Sequence, residues 1–192
     1  LRNIATRSMA PVSSKERRKY SATSFCTPIA ANTTAEIGYN TEGKESVLGN
    51  PTEGALLNFL KENSIDYAPL REKATLIKQL TFTTQRKYMA TLVVSEVTGK
   101  RVLYMKGAPE IIMSHSKSVI TLEGEEAMSK IKPEIEEKLI SFQSKAMRTL
   151  AFAMAEVADD DNREIEEIIA TDKVKFLVFV AISDPVRTDV PA

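Results

Sequence analysis

The hydrophobic positions change period several times along the chain. Around residue 50 the period is helical. Asn50 can cap a helix, Pro51 suits its first position, and Glu53 stands where a capping-box acid reaches back. Ala55, Leu56, Phe59 and Leu60 then recur on one face. The pattern becomes extended over 76–82. It is β-rich over 89–97, breaks at Thr98-Gly99-Lys100 and returns over 101–105, which predicts a hairpin. Pro109 opens a short helix through Ile111, Ile112 and Met113. A longer helix is predicted over 132–147, with Ile135, Leu139, Ile140 and Phe142 among its apolar positions. Residues 149–157 read as a strand despite alanines that disfavour one. A short helix over 164–169 follows the acidic loop begun by Asp159, Asp160 and Asp161. Residues 174–182 are apolar at nearly every position and predict a central strand. A hairpin with interleaved helices implies an α+β fold, a single domain with an antiparallel or mixed β-sheet flanked by helices.

Residues 1–50 are polar and weakly periodic, and 40–44, with Gly43, reads as a loop. The chain divides into a polar N-terminal arm with the first elements of the domain (1–48), the body (49–183) and an outgoing segment (184–192). Arg2, Arg7, Lys15, Arg17, Arg18 and Lys19 make the start locally basic, a composition typical of a solvated arm. Asn32 opens an Asn-x-Thr pattern too common to carry meaning. The start at Leu1 and the end just after an Asp-Pro segment read as a domain of a longer protein.

Composition narrows the chemistry. Lysine plus arginine number 26 and aspartate plus glutamate 26, so the overall basic footprint of a nucleic-acid binder is absent. The longest apolar run, 176–182, is too short to cross a bilayer. Cys26 is alone, so there is no internal disulfide, and one cysteine with one histidine argues against a zinc set. The Gly-rich phosphate loops and the Gly-x-Ser-x-Gly elbow are missing. His115, between two serines, reads as a surface or half-buried side chain rather than a catalytic one.

Five segments give the chain a more specific character: Gly49-Asn-Pro-Thr-Glu-Gly-Ala-Leu-Leu57, Phe82-Thr-Thr-Gln-Arg-Lys-Tyr-Met89, Lys106-Gly-Ala-Pro-Glu110, Arg148-Thr-Leu-Ala-Phe152 and Asp184-Pro-Val-Arg187. In this order and spacing the chain resembles the nucleotide-binding domain of P-type cation-transporting ATPases, most of all calcium pumps of the plasma-membrane and bacterial kind. The resemblance implies that ATP is the ligand. Phe82 would be the plate on which adenine stacks; without the motif it reads as a core phenylalanine at a strand end. Glu53 would accept from the exocyclic amine, although it also fits a capping box behind Asn50. Lys106 would line the pocket, with Gly107 beside it allowing close approach of the ligand; otherwise it is a solvated strand end. Lys87 and Arg148 would face the phosphates, and Leu150 would form an apolar wall or core packing. Arg86 and Met89 would have support roles. Thr84 stands where the family often has an arginine, which removes one phosphate contact.

The same resemblance implies that Asp184, Pro185 and Arg187 form the return hinge to a phosphorylation domain. The family's Asp-Lys-Thr-Gly-Thr nucleophile segment is absent, so no catalytic residue is expected here. Partners would be the phosphorylation and actuator domains of a full-length chain. Mg2+ would accompany ATP, with its ligands mainly in the phosphorylation domain. The location would be a cytoplasmic domain of an integral membrane protein, not itself embedded and with no nucleic-acid partner. A competing reading is a non-catalytic interaction domain that uses the basic arm. A standalone hydrolase lacks a nucleophile constellation.

Overall fold

The extended patterns pair into one large sheet, seen in a computed structural model that describes residues 4–6, 22–95, 99–121, 124–171 and 173–183. The first elements are β1 (Ile4–Thr6), α1 (Ala22–Ala31), β2 (Glu36–Tyr39), β3 (Glu45–Leu48), α2 (Pro51–Glu62) and α3 (Tyr67–Glu72). Next come β4 (Ala74–Leu80), β5 (Tyr88–Ser95), β6 (Arg101–Gly107), α4 (Pro109–His115), β7 (Ser118–Thr121) and β8 (Gly124–Ala127). The last are α5 (Met128–Gln143), β9 (Arg148–Val157), α6 (Ile165–Ile169) and β10 (Lys175–Ile182). The sheet runs β4-β5-β6-β9-β10-β7-β8, with β1 added to β10, while β2 and β3 form a separate ribbon. Among the described strands only β10 with β7 is parallel, so the sheet is mixed and the fold is α+β as expected.

Helices cover both faces. On one, Phe152, Leu177, Val180 and Ile182 pack under Ile29 of α1 and Leu56 and Leu60 of α2. On the other, Leu92, Leu103, Met105 and Phe179 meet Ile112, Leu139 and Ile168 from α4, α5 and α6. Strand β9 sits near the centre of the sheet. Its Ala151, Ala153 and Ala155 are completely buried on the second face, where their small size lets α4 and α5 lie close. Packing of this kind overrides the poor strand propensity of alanine.

The described elements depart from the sequence expectation in definable ways. The strand predicted over 76–82 ends at Leu80 and leaves Phe82 outside it. The helix predicted over 132–147 begins at Met128 and ends at Gln143. Pro133 lies inside it, and burial of Met128 with half-burial of Ile131 anchors the turn ahead of the proline. Elements α1, β2, β3, α3, β7 and β8 had no counterpart in the expectation, each being short or nearly free of periodicity. The predicted loop over 40–44 is the turn between β2 and β3. Among the described residues no helix is long and apolar enough to cross a membrane. The basic positions of the arm and the segment holding Asp184, Pro185 and Arg187 lie outside the described residues.

Candidate functional site

Antiparallel pairing gathers the candidate residues at one end of the sheet. Strand β4 stops just before Phe82, and β5 starts just after Lys87. Tyr88 pairs with Gly107, Gly107 with Ala151, and Arg148 with Ile182. The end of β4, the start of β5, the end of β6, the start of β9 and the end of β10 therefore share one edge. Lys106 lies between Met89 and Phe152 in the cross-strand register, on the face covered by α1 and α2.

Helix α2 brings Glu53 to that face. Asn50 caps the helix as predicted, its side chain accepting from Thr52 N–H at 2.8 Å. The second half of the capping box is replaced. Glu53, rather than reaching back to the cap, accepts at Oε1 from Lys106 Nζ at 2.6 Å. Its Oε2 accepts from Thr34 N–H at 2.8 Å, Thr34 Oγ1 at 3.0 Å and Ala35 N–H at 3.0 Å. Lys106 is only 5% exposed and Glu53 only 7%, so the solvated reading of Lys106 is excluded. Lys106 Nζ also donates to the Asn32 carbonyl.

Electrostatics follow from that enclosure. Burial alone would raise the Glu53 carboxyl. The charge and hydrogen bond of Lys106, helped by Thr34 N–H and Thr33, outweigh it and bring the group down to about 2. Burial pushes the Lys106 ammonium below its ordinary value; Glu53 opposes that shift and the charge of Arg71 adds to it. Glu53 Oε1 thus stands as an acceptor beside the Lys106 Nζ donor. Two of the three Lys106 donors are engaged, by Glu53 and by Asn32.

The turn between α1 and β2 supplies most of the support, and sequence reasoning passed over it. Asn32 is completely buried. Its Oδ1 accepts from Thr91 Oγ1 at 2.7 Å, and its Nδ2 donates to the Tyr104 carbonyl at 3.4 Å. Arg71 of α3 braces both sides of the turn, donating to the Ala30 carbonyl at 3.2 Å and to the Ala35 carbonyl at 2.8 Å. The only local signal was a cluster of small polar residues at 32–34. Its partners are 19 to 74 positions away, which no local pattern reveals.

The remaining candidates are more open. Phe82 is 57% exposed, which removes the core reading and leaves an uncovered ring at the sheet end. The loop carrying it is held by Arg86, which donates to the Thr81 carbonyl at 2.7 Å and lies over the Tyr88 ring at 5.8 Å. Lys87 is exposed in a left-handed conformation, φ 58°. Its carbonyl accepts from Ala108 N–H at 3.0 Å, tying the loop to the end of β6. Gly107 has a packing reason of its own: a Cβ there would lie 2.4 Å from the Lys87 carbonyl oxygen and 2.6 Å from Tyr88 Cβ. Arg148 is exposed, and Leu150 is half-buried against the α1–α2 side of the core. His115 is half-buried with its ring edge-on to Tyr88 at 5.5 Å. Among the described residues, no three histidine, cysteine or acidic side chains converge to hold a metal ion.

The sequence matches the family model described as "P-type ATPase, cytoplasmic domain N" over residues 22–189. The chain belongs to this family. Several curated calcium-transporting ATPases are similar to this N domain. Calcium-transporting ATPase PAT1 of Dictyostelium discoideum is 33% identical over 166 residues, 85% of this chain and 14% of the relative. Calcium-transporting ATPase 1 of Lactococcus lactis is 30% identical over 159 residues, 79% of this chain and 17% of the relative. Calcium-transporting ATPase 1 of Saccharomyces cerevisiae is 31% identical over 146 residues, 74% and 15% respectively. The N domain thus spans about a sixth of the length of these relatives.

Proposed function

We propose that this N domain binds ATP at the sheet end that carries Phe82, Lys87, Gly107, Arg148 and Leu150, with the base directed toward Glu53 and Lys106. The observation that carries the reading is the buried Glu53–Lys106 pair on the same sheet end as an uncovered phenylalanine. Adenine presents a donor amine beside an acceptor ring nitrogen on one edge. Glu53 Oε1 is suited to accept from the amine and the third Lys106 donor to reach the nitrogen. Phe82 would stack on the base, and Leu150 would supply the apolar wall. Lys87 and Arg148 are cations at the rim, suited to the phosphates. Gly107 would shape the floor by keeping β5 and β6 close together.

In the whole protein this domain would present ATP to an aspartate in a neighbouring phosphorylation domain, its own part being positioning. Asp184, Pro185 and Arg187 would form the hinge. Strand β10 leaves the sheet opposite Arg148, on the site's own end, which suits that role. Mg2+ would come with the nucleotide and supply charge neutralisation at the phosphates. The names of the relatives support calcium as the transported ion; the context would be an integral membrane pump with actuator and phosphorylation domains.

The 192-residue chain is expected to bind ATP with a Kd of roughly 0.1 to several mM, since stacking and a few charge contacts must offset the entropy of association. It should not hydrolyse it. Backbone NMR during ATP titration should shift signals near Phe82, Lys106 and Arg148; unmoved signals at millimolar ATP would refute the reading. Phe82→Ala should lose about 1–3 kcal/mol of binding. The same variant should melt within about 0.5 kcal/mol of the parent, as the ring is exposed.

A further inference from the structure

Apart from its proposed contact with the base, the Glu53 carboxylate accepts four hydrogen bonds from within the described structure. Three donors meet at a single oxygen, Oε2, and all three come from two successive residues, Thr34 and Ala35. Their turn is itself fixed. Arg71 holds the carbonyls on either side, and Asn32 is bonded to Thr91 and Tyr104. With Oε2 saturated, the carboxylate cannot rotate without losing hydrogen bonds, and Oε1 is left as the oxygen that faces Lys106. Thr33 contributes as well: its buried hydroxyl makes no hydrogen bond of ordinary geometry, yet it helps to draw the same carboxyl down.

We propose that Thr34 is a positioning residue for base recognition: its hydroxyl and N–H lock Glu53 so that Oε1 and Lys106 Nζ present an acceptor and a donor in fixed register to the base edge. Thr34 itself need not touch the nucleotide. This rests on the ATP reading above and deepens it, since it names what makes the site discriminate between purines. Adenine offers a donor at position 6, whereas hypoxanthine and guanine offer an acceptor there. A locked acceptor therefore favours adenine, and a carboxylate free to turn, or to take up a proton and donate, tolerates either. The groups facing Glu53 are Thr33, Thr34 and Ala35 from the turn and Lys106 from β6, with Arg71 of α3 and the Asn32 carbonyl facing Lys106 behind it.

The test uses the 192-residue chain with Thr34→Val, which keeps the shape and the backbone donors but removes the hydroxyl, and Thr34→Ser, which restores it. ATP and ITP affinities are measured by NMR titration, and the Glu53 carboxyl is titrated by its carbon-13 shift. In Thr34→Val the ATP Kd should rise roughly 3- to 10-fold while the ITP Kd changes less than about 2-fold, since only part of the strength of one hydrogen bond to a charged group reaches the base contact. The Glu53 midpoint should move upward, and Thr34→Ser should restore both properties. An unchanged ATP-to-ITP ratio in Thr34→Val overturns the proposal, whether both affinities hold or both fall together. If the parent chain binds no ATP, the nucleotide reading fails first. An unmoved Glu53 midpoint in Thr34→Val would then show independently that the lock does not exist.

Discussion

Lys106→Met probes the centre of the site. Methionine fills nearly the same space without the ammonium, so the change isolates the charge. In the parent the Glu53 carboxyl lies at about 2 against an ordinary 4.5. That depression corresponds to about 3 kcal/mol of stability at neutral pH. Lys106 provides the largest lowering influence, so most of this is lost in the variant. The Asn32 carbonyl also loses its ammonium donor. The three donors at Oε2 remain, and the desolvation cost of Lys106 itself disappears. The net loss is therefore placed at about 2–3 kcal/mol, below the 3–5 typical of stripping one partner from a buried pair. A group whose folded-state value is depressed adds stability above its unfolded value and loses it as the pH falls through the folded one. The parent should therefore weaken between pH 4.5 and about 2. The variant lacks most of that depression and weakens less, so the gap between them should shrink to about 1 kcal/mol by pH 3. Urea unfolding followed by circular dichroism at pH 7 and pH 3 measures both gaps. A gap of equal size at the two pH values, or one under about 1 kcal/mol at pH 7, refutes the account of the pair.

Two further substitutions test how the site is held. Gly54→Ala would place a Cβ 2.1 Å from Val47 Cγ1, where β3 crosses α2, and should destabilise by about 1–2 kcal/mol in thermal melts despite alanine's better helix propensity. Val47→Ala in the same chain should recover most of that loss. Asn50→Ala removes the acceptor for Thr52 N–H and should cost about 1 kcal/mol, with faster amide exchange confined to the first turn of α2.

Local patterns carried the elements whose periodicity is set by burial on one side. They include α2, the β5–β6 hairpin, α4, α6 and the apolar β10, and four of the five motifs led to residues that the structure gathers at one end of the sheet, the Asp184–Arg187 motif lying outside the described residues. The Asn50 cap was legible because its geometry is local. Glu53 shows the limit: its spacing fits a capping box, but the pull of a buried ammonium far away in sequence outweighs the backbone donor close by. Phe82 could not be separated from a core residue until the end of β4 was known. The turn at 32–35 was illegible for a related reason. Its residues are small, polar and unremarkable until Arg71, Thr91 and Glu53 are folded against them. The short elements β2, β3, β7 and β8 carry too few residues for alternation to register.

The Glu53–Lys106 pair also has a kinetic meaning. Its bonds join positions 53 apart, the Lys106 bond to Asn32 spans 74, and the Thr34 bond to Glu53 spans 19. A buried charge joined only by long loops is unfavourable until all of its partners have arrived, because loop closure must precede the reward. The pair therefore belongs to the last contacts made as α1, α2 and the centre of the sheet come together. Partly folded chains would lack the pair, and a nucleotide that needs it would bind only to molecules that have completed folding, stabilising them in proportion to the logarithm of its concentration over Kd once that concentration exceeds Kd.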